Sequence, residues 1–187
     1  MMKYKVTGLC FLAISISCVL DIGRTSPSFE NYNQLVHPEN IDSFVVTGFD
    51  QLSDFSFKVP DFPRTDSKAQ EILKGNKIPA LVKCLSGQKV AIQGFMFPLR
   101  YSDGKVTQFL ILRDQSWCCY GTIPEVTEWV VAVSESGFKP VLDVPINFYG
   151  KFIVGEQYDK NDFLVGIYKM ECSSIGPPIP LVTAVDK

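Results

Sequence analysis

The chain has 187 residues, enough for one domain with a leader and a linker to spare. It is 46% hydrophobic and 20% charged, which excludes a disordered chain. A net charge of −2 with no basic run argues against nucleic acid, because neutralising phosphates takes clustered Lys and Arg.

Residues 1–20 read as an export segment. Lys3 and Lys5 form a basic start, Val6 to Leu20 is an apolar run broken only by small or hydroxyl residues, and Asp21 and Arg24 end it. A membrane-spanning helix needs about 20 apolar residues; this shorter run fits a secretory signal, with an uncleaved N-terminal anchor as the alternative. Cys18 follows Ser15-Ile16-Ser17, small residues suited to lipoprotein processing, and ordinary cleavage near Ser17 serves equally well. Either route places the protein in the periplasm or tethers it to the outer side of the inner membrane. Residues 21–43 are polar, contain Pro27 and Pro38, and read as a tether. His37, the only histidine, lies in it and reads as a solvated side chain.

The folded domain is expected over 44–175, with a C-terminal tail over 176–187. Phe55, Phe57 and Val59 alternate with polar residues and predict a half-buried strand, closed by Pro60 and Pro63. Asp66 or Ser67 caps a short helix over Lys68 to Lys74, and Gly75 stops it. Ile78, Leu81, Val82 and Leu85 share one face of a second short helix starting at Pro79 and ending at Gly87. Lys89 to Phe97 alternates as a strand; the turn Ser102-Asp103-Gly104-Lys105 returns Val106 to Leu112 as its hairpin partner. Further strands are expected at Val126 to Val133, at Val144 to Val154 with a bulge or bend at Gly150, and at Phe163 to Met170 after a turn at Asp159 to Asp162. The fold class is mostly β: a small five-stranded OB-like barrel with one or two short helices, ahead of a sandwich.

Chemistry concentrates in Trp117-Cys118-Cys119-Tyr120-Gly121, a connection between strands. With Cys84 and Cys172 the folded part holds four thiols. Three readings stand open. Cys118 and Cys119 are candidate ligands for zinc or copper, with Glu128 and Cys172 as further ligands and Cys84 and Glu125 also eligible. The adjacent pair is alternatively a strained, reducible vicinal disulfide. In the third reading one cysteine packs inward and the other bridges to Cys84 or Cys172, stapling a structural or protein-interaction module. Glu128 also reads as an exposed charge beside apolar Trp129 and Val131, and Phe95-Met96-Phe97-Pro98 as groove lining or core. No Ser-His-Asp set, phosphate-cradling glycine loop or paired histidine is present, so a binding module is expected rather than an enzyme.

The order Gly94-Phe95-Met96-Phe97-Pro98-Leu99, Phe109-Leu110-Ile111-Leu112, Trp117-Cys118-Cys119-Tyr120-Gly121 and Glu128-Trp129-Val130 resembles a family of exported bacterial proteins of unknown function. Its shared pattern reads Gly-Phe-Met-x-Pro-Leu, a strand, Trp-Cys-Cys-Phe-Gly and Asn-Glu-Trp-Val. The likeness covers about residues 44–171, with Tyr120 where Phe is common and Thr127 where Asn is common. Cys84 and Cys172 lie off the pattern, which favours a pair-centred site over a four-thiolate one. The resemblance implies an OB-like barrel and a cell-envelope location. Some members look associated with metal-uptake systems, which implies zinc handling with an envelope transport protein as partner. It implies no established activity.

Overall fold

The computed structural model describes residues 31–116, 121 and 123–178. The elements run β1 (Val45–Thr47), α1 (Phe49–Leu52), α2 (Ser67–Gly75), α3 (Ala80–Lys83), β2 (Lys89–Ser102), β3 (Lys105–Leu112), β4 (Trp129–Phe138), β5 (Ile146–Tyr158) and β6 (Leu164–Gly176).

Alternation produces the ring. Val90 and Ile92 of β2, Phe109 and Ile111 of β3, Val130 and Ala132 of β4, Phe148 and Phe152 of β5, and Tyr168 and Met170 of β6 are buried together in one core. Long β2 pairs twice: Lys89 to Gly94 run antiparallel to β5, and Phe95 to Ser102 antiparallel to β3. With β3–β4 and β5–β6 antiparallel and β4–β6 parallel, the hydrogen-bonded order β2-β3-β4-β6-β5 returns to β2. Five strands thus close a barrel-like ring of the expected OB type, and closure leaves the long strands few open edges. Short β1 adds a sixth strand, parallel to β2.

Several local expectations hold. Asp66 caps α2 by accepting the Lys68 N–H at 2.8 Å. Pro79 precedes α3, which is shorter than expected: it ends at Lys83 and buries Val82, Leu85 is buried in the turn beyond it, and Leu81, expected on the same face, is exposed. The β2–β3 turn places Asp103 and Gly104 at φ 50° and 74°, the left-handed pair that a tight hairpin takes. A register shift falls between Tyr149 and Gly150, where a bend is expected.

Two strands require correction. Residues 55–59 form none: Phe57 is buried, yet the Lys58 backbone bonds to the Asn76 side chain, N–H to Oδ1 at 2.8 Å and C=O from Nδ2 at 2.9 Å. One amide thus stands in for a neighbouring strand. The strand expected from Val126 begins at Trp129, because Val126–Glu128 is a 3-10 turn closed by a capping box between Glu125 and Glu128. In addition α1 forms over Phe49–Leu52, whose two apolar ends are buried.

From Asn31 onward, the segment expected as a tether lies against the ring. Asn31 Nδ2 donates to Pro140 O at 2.8 Å, and Tyr32 and Leu35 pack on the core. His37 is exposed, but its Nδ1 lies 2.8 Å from the hydroxyl of buried Tyr149, whose ring also meets Phe44 edge-on.

Thr127 is buried and its Oγ1 has no hydrogen-bond partner among the described residues. A buried hydroxyl left unpaired costs about 1–3 kcal/mol. Thr127→Val keeps the shape and removes the hydroxyl, so it is expected to raise the urea midpoint, by about 1 kcal/mol in unfolding free energy. An unchanged or lower midpoint means the hydroxyl is satisfied in solution.

Candidate binding face on the outside of the ring

If Phe109, Ile111, Val130 and Ala132 point inward, their neighbours along β3 and β4 point outward. Those neighbours, apart from Gln108, are also apolar. Register aligns Phe97, Leu110, Val131 and Lys169 in one row across β2, β3, β4 and β6; Leu112 faces Trp129 in the next row, and Gln108 faces Val133 in the row on the other side. The rows of Val131 and Val133 lie where β4 is paired on both edges, so a visitor there meets side chains rather than open backbone.

Trp129 is the centre of the face. Its Nε1 donates to Val165 O at 3.1 Å, which fixes the indole against β6. Gly166 gives it room: a Cβ there would lie 3.4 Å from the Trp129 Nε1 and 3.1 Å from Val131 Cγ2. On one side of the indole is a recess of about 440 Å³ walled by Phe97, Leu110, Leu112, Ile123 and Pro124. On the other is a recess of about 540 Å³ with Leu110, Val131 and Val165 among its walls. Gln108, Gln157, Tyr158, Asp159 and Lys169 border this second recess. Ile123 is 89% exposed, a large apolar side chain left in solvent at the mouth of the first recess.

Of the residues singled out for metal chemistry, Glu128 and Cys172 lie apart. Cys118 and Cys119 lie outside the described residues. Both oxygens of Glu128 are engaged: Oε1 with Arg113 Nη1 at 2.8 Å, and Oε2 with the Glu125 N–H at 2.9 Å. Cys172 is buried, its Sγ 3.4 Å from Ser174 O, and burial pushes its thiol up to about 12, so it stays protonated. With Val131 level with Lys169, Glu128 and Cys172 are about 20 Å apart along the parallel strands, at about 3.3 Å per residue. Cys84 is exposed, and both it and Cys172 are free thiols. Among the described residues no three His, Cys, Asp or Glu side chains converge to hold an ion. Beside the Cys-Cys segment, hydrogen bonds from the Ser116 side chain and backbone hold the Asp114 carboxyl below its ordinary value.

In the sequence, Phe97 of this face falls in the Phe95-Met96-Phe97-Pro98 stretch that reads as groove lining or core, and β3 carries a further signal. Phe109-Leu110-Ile111-Leu112 is apolar on both parities of an antiparallel strand, where a solvated outer face would alternate with polar residues.

The fold is similar to that of a DUF3299 family protein from Pseudomonas aeruginosa PAO1, known from a crystal structure, with a TM-score of 0.51 and 21% identity over 73% of this chain and 97% of that one. A weaker likeness, with a TM-score of 0.36 and 11% identity, covers 79% of this chain and 24% of a protein of Leishmania major Friedlin provisionally described as an aspartyl-tRNA synthetase, and it carries no argument. No protein-family model matches the sequence, and no curated protein does. The first likeness supports the fold and, coming from a domain of unknown function, assigns no activity.

Proposed function

We infer that this chain is a binding module of the cell envelope, exported by its N-terminal segment, and that its ligand seat is the outer face of β3 and β4. One observation carries the reading: two recesses meet at Trp129 on a face whose outward side chains are apolar where solvent alone would favour polar ones. The fold supports it, since OB-type rings commonly take ligands on the face of their second and third strands, between the loops that flank it. Here those strands are β3 and β4, flanked by the Asp103–Gly104 turn and the turn between β5 and β6. Cys118 and Cys119 lie outside the described residues, so the reading rests on the face rather than on the thiol pair.

The test is binding of the amphiphilic anionic dye 8-anilinonaphthalene-1-sulfonate, whose aromatic rings seek apolar recesses, to the folded protein. Wild type is expected to bind it saturably. Leu110→Glu, which places a charge between the two recesses, is expected to lose the signal with little change in the unfolding midpoint. Equal dye binding by both proteins means the face is not the seat.

A further inference from the structure

We propose that the larger recess takes a short, uncharged oligosaccharide, with the apolar faces of its pyranose rings against Trp129, Val131 and Val165. Its hydroxyls bond to Gln108, Gln157, Asp159 and Lys169. The proposal rests on the binding-face reading above and names the ligand class for it.

The argument begins with what the recess leaves unsatisfied. Gln108 and Lys169 make no side-chain hydrogen bond among the described residues. Asp159 accepts the N–H groups of Asn161 and Phe163 through Oδ1, each at 2.9 Å, which leaves Oδ2 free. Gln157 donates from Nε2 to Gly155 O at 3.0 Å, which leaves its Oε1. Donors and acceptors of both kinds thus border an apolar floor. A purely apolar ligand would desolvate these groups without pairing them, at about 1–3 kcal/mol each. A nucleic acid meets the opposite objection. Lys169 is the single cation bordering the recess and is offset by Asp159, so a phosphate backbone finds no track to follow.

A pyranose suits both halves of the site. Its ring carbons present C–H bonds on two broad faces, and its hydroxyls project around the edge as donors and acceptors together. An indole whose N–H is already bound to Val165 O offers only its apolar surface, which is what a C–H face meets best. Dimensions agree as well. Gln108 on β3 and Lys169 on β6 flank β4, so their strands are about 10 Å apart, two strand spacings. That spacing accepts a ring with a hydrogen bond to each side. The volume of about 540 Å³ lies in the ordinary range for small-ligand sites, and the turn carrying Asp159 ends the groove.

The experiment titrates the full-length mature protein with N,N′,N″-triacetylchitotriose, maltotriose and decathymidylate, by calorimetry and by the indole N–H shifts in nuclear magnetic resonance. At least one trisaccharide is expected to bind and to shift the Trp129 resonance. Gln108→Ala and Lys169→Ala are each expected to weaken it at least about fivefold, about 1 kcal/mol, while the unfolding midpoint holds. Trp129→Phe, which keeps an aromatic ring, is expected to retain more affinity than Trp129→Ala. Dye binding with no response to either trisaccharide up to about 10 mM, a Kd limit near 3 kcal/mol, overturns the saccharide proposal and leaves the binding face standing. Salt-sensitive binding of decathymidylate in their place also overturns it. Loss of dye binding and sugar binding alike from the wild type removes both readings.

Discussion

Gly150→Ala is expected to lower the unfolding free energy by about 3 kcal/mol, the upper end of ordinary overpacking. The position is held on both sides, opposite Val90 of β2 and Cys172 of β6, so it lies where β5 joins the two halves of the ring. A Cβ there would lie 2.2 Å from Glu171 O and 2.9 Å from Cys172 Cα. Both obstacles are backbone, which cannot rotate away as a side chain would. Relief requires β5 and β6 to separate at the register shift that follows Tyr149, which loosens the pairing that closes the ring. The gain from stiffening the unfolded chain, about 0.4–1 kcal/mol for Gly→Ala, is too small to offset this. Gly75→Ala is the internal comparison: it sits at the end of α2 with nothing within 4 Å of an added Cβ. It is expected to gain up to about 1 kcal/mol from helix propensity. Urea denaturation of the two variants should therefore move in opposite directions. Equal midpoints would show that β5 and β6 tolerate the methyl, and that Gly150 marks a flexible rather than a crowded bend.

That glycine was legible in the sequence because it interrupts an alternating strand, a local signal with a local cause. The β2–β3 hairpin was legible for the same reason, since Lys89 to Phe97 alternates and Asp103-Gly104 supplies the turn. Residues 55–59 alternate too, and there the pattern misled. Alternation reports which side chains are buried, and Phe57 is buried as expected; it does not report what the backbone pairs with, and Asn76, distant in sequence, supplies that partner. Three-residue β1 is too short to show any period. Most of the candidate face was hidden for a related reason. Leu110, Val131 and Lys169 belong to three separate stretches, and only the register of β3, β4 and β6 sets them side by side. The thiols drew attention through their chemistry, but whether a cysteine is available is decided by packing. Sequence spacing gives no hint that Cys172 is enclosed or that Arg113 already occupies Glu128.

Tyr168 carries the other large expected effect, and it separates two contributions at one site. Its ring is fully buried and stacked on Phe152 with centroids 5.5 Å apart, and its hydroxyl donates to Leu52 O at 2.8 Å. That bond ties α1 to the core. Tyr168→Ala removes the ring and is expected to cost about 3–5 kcal/mol. Tyr168→Phe keeps the ring but leaves the Leu52 carbonyl without its donor, and is expected to cost about 1–3 kcal/mol. Faster amide exchange over β1 and α1 should accompany the Phe variant, because Leu52 closes that segment onto β6. The pH dependence gives an independent check. Burial raises the Tyr168 pKa above its ordinary value of 10.0, so the unfolded chain releases this proton first as pH rises. The stability tied to the hydroxyl is therefore complete below pH 10.0 and declines above it. Wild type should lose stability more steeply than Tyr168→Phe in that alkaline range, narrowing the gap between them. A gap that stays constant from neutral pH into the alkaline range would mean the hydroxyl is not enclosed, and that α1 is held by Phe49 and Leu52 packing alone.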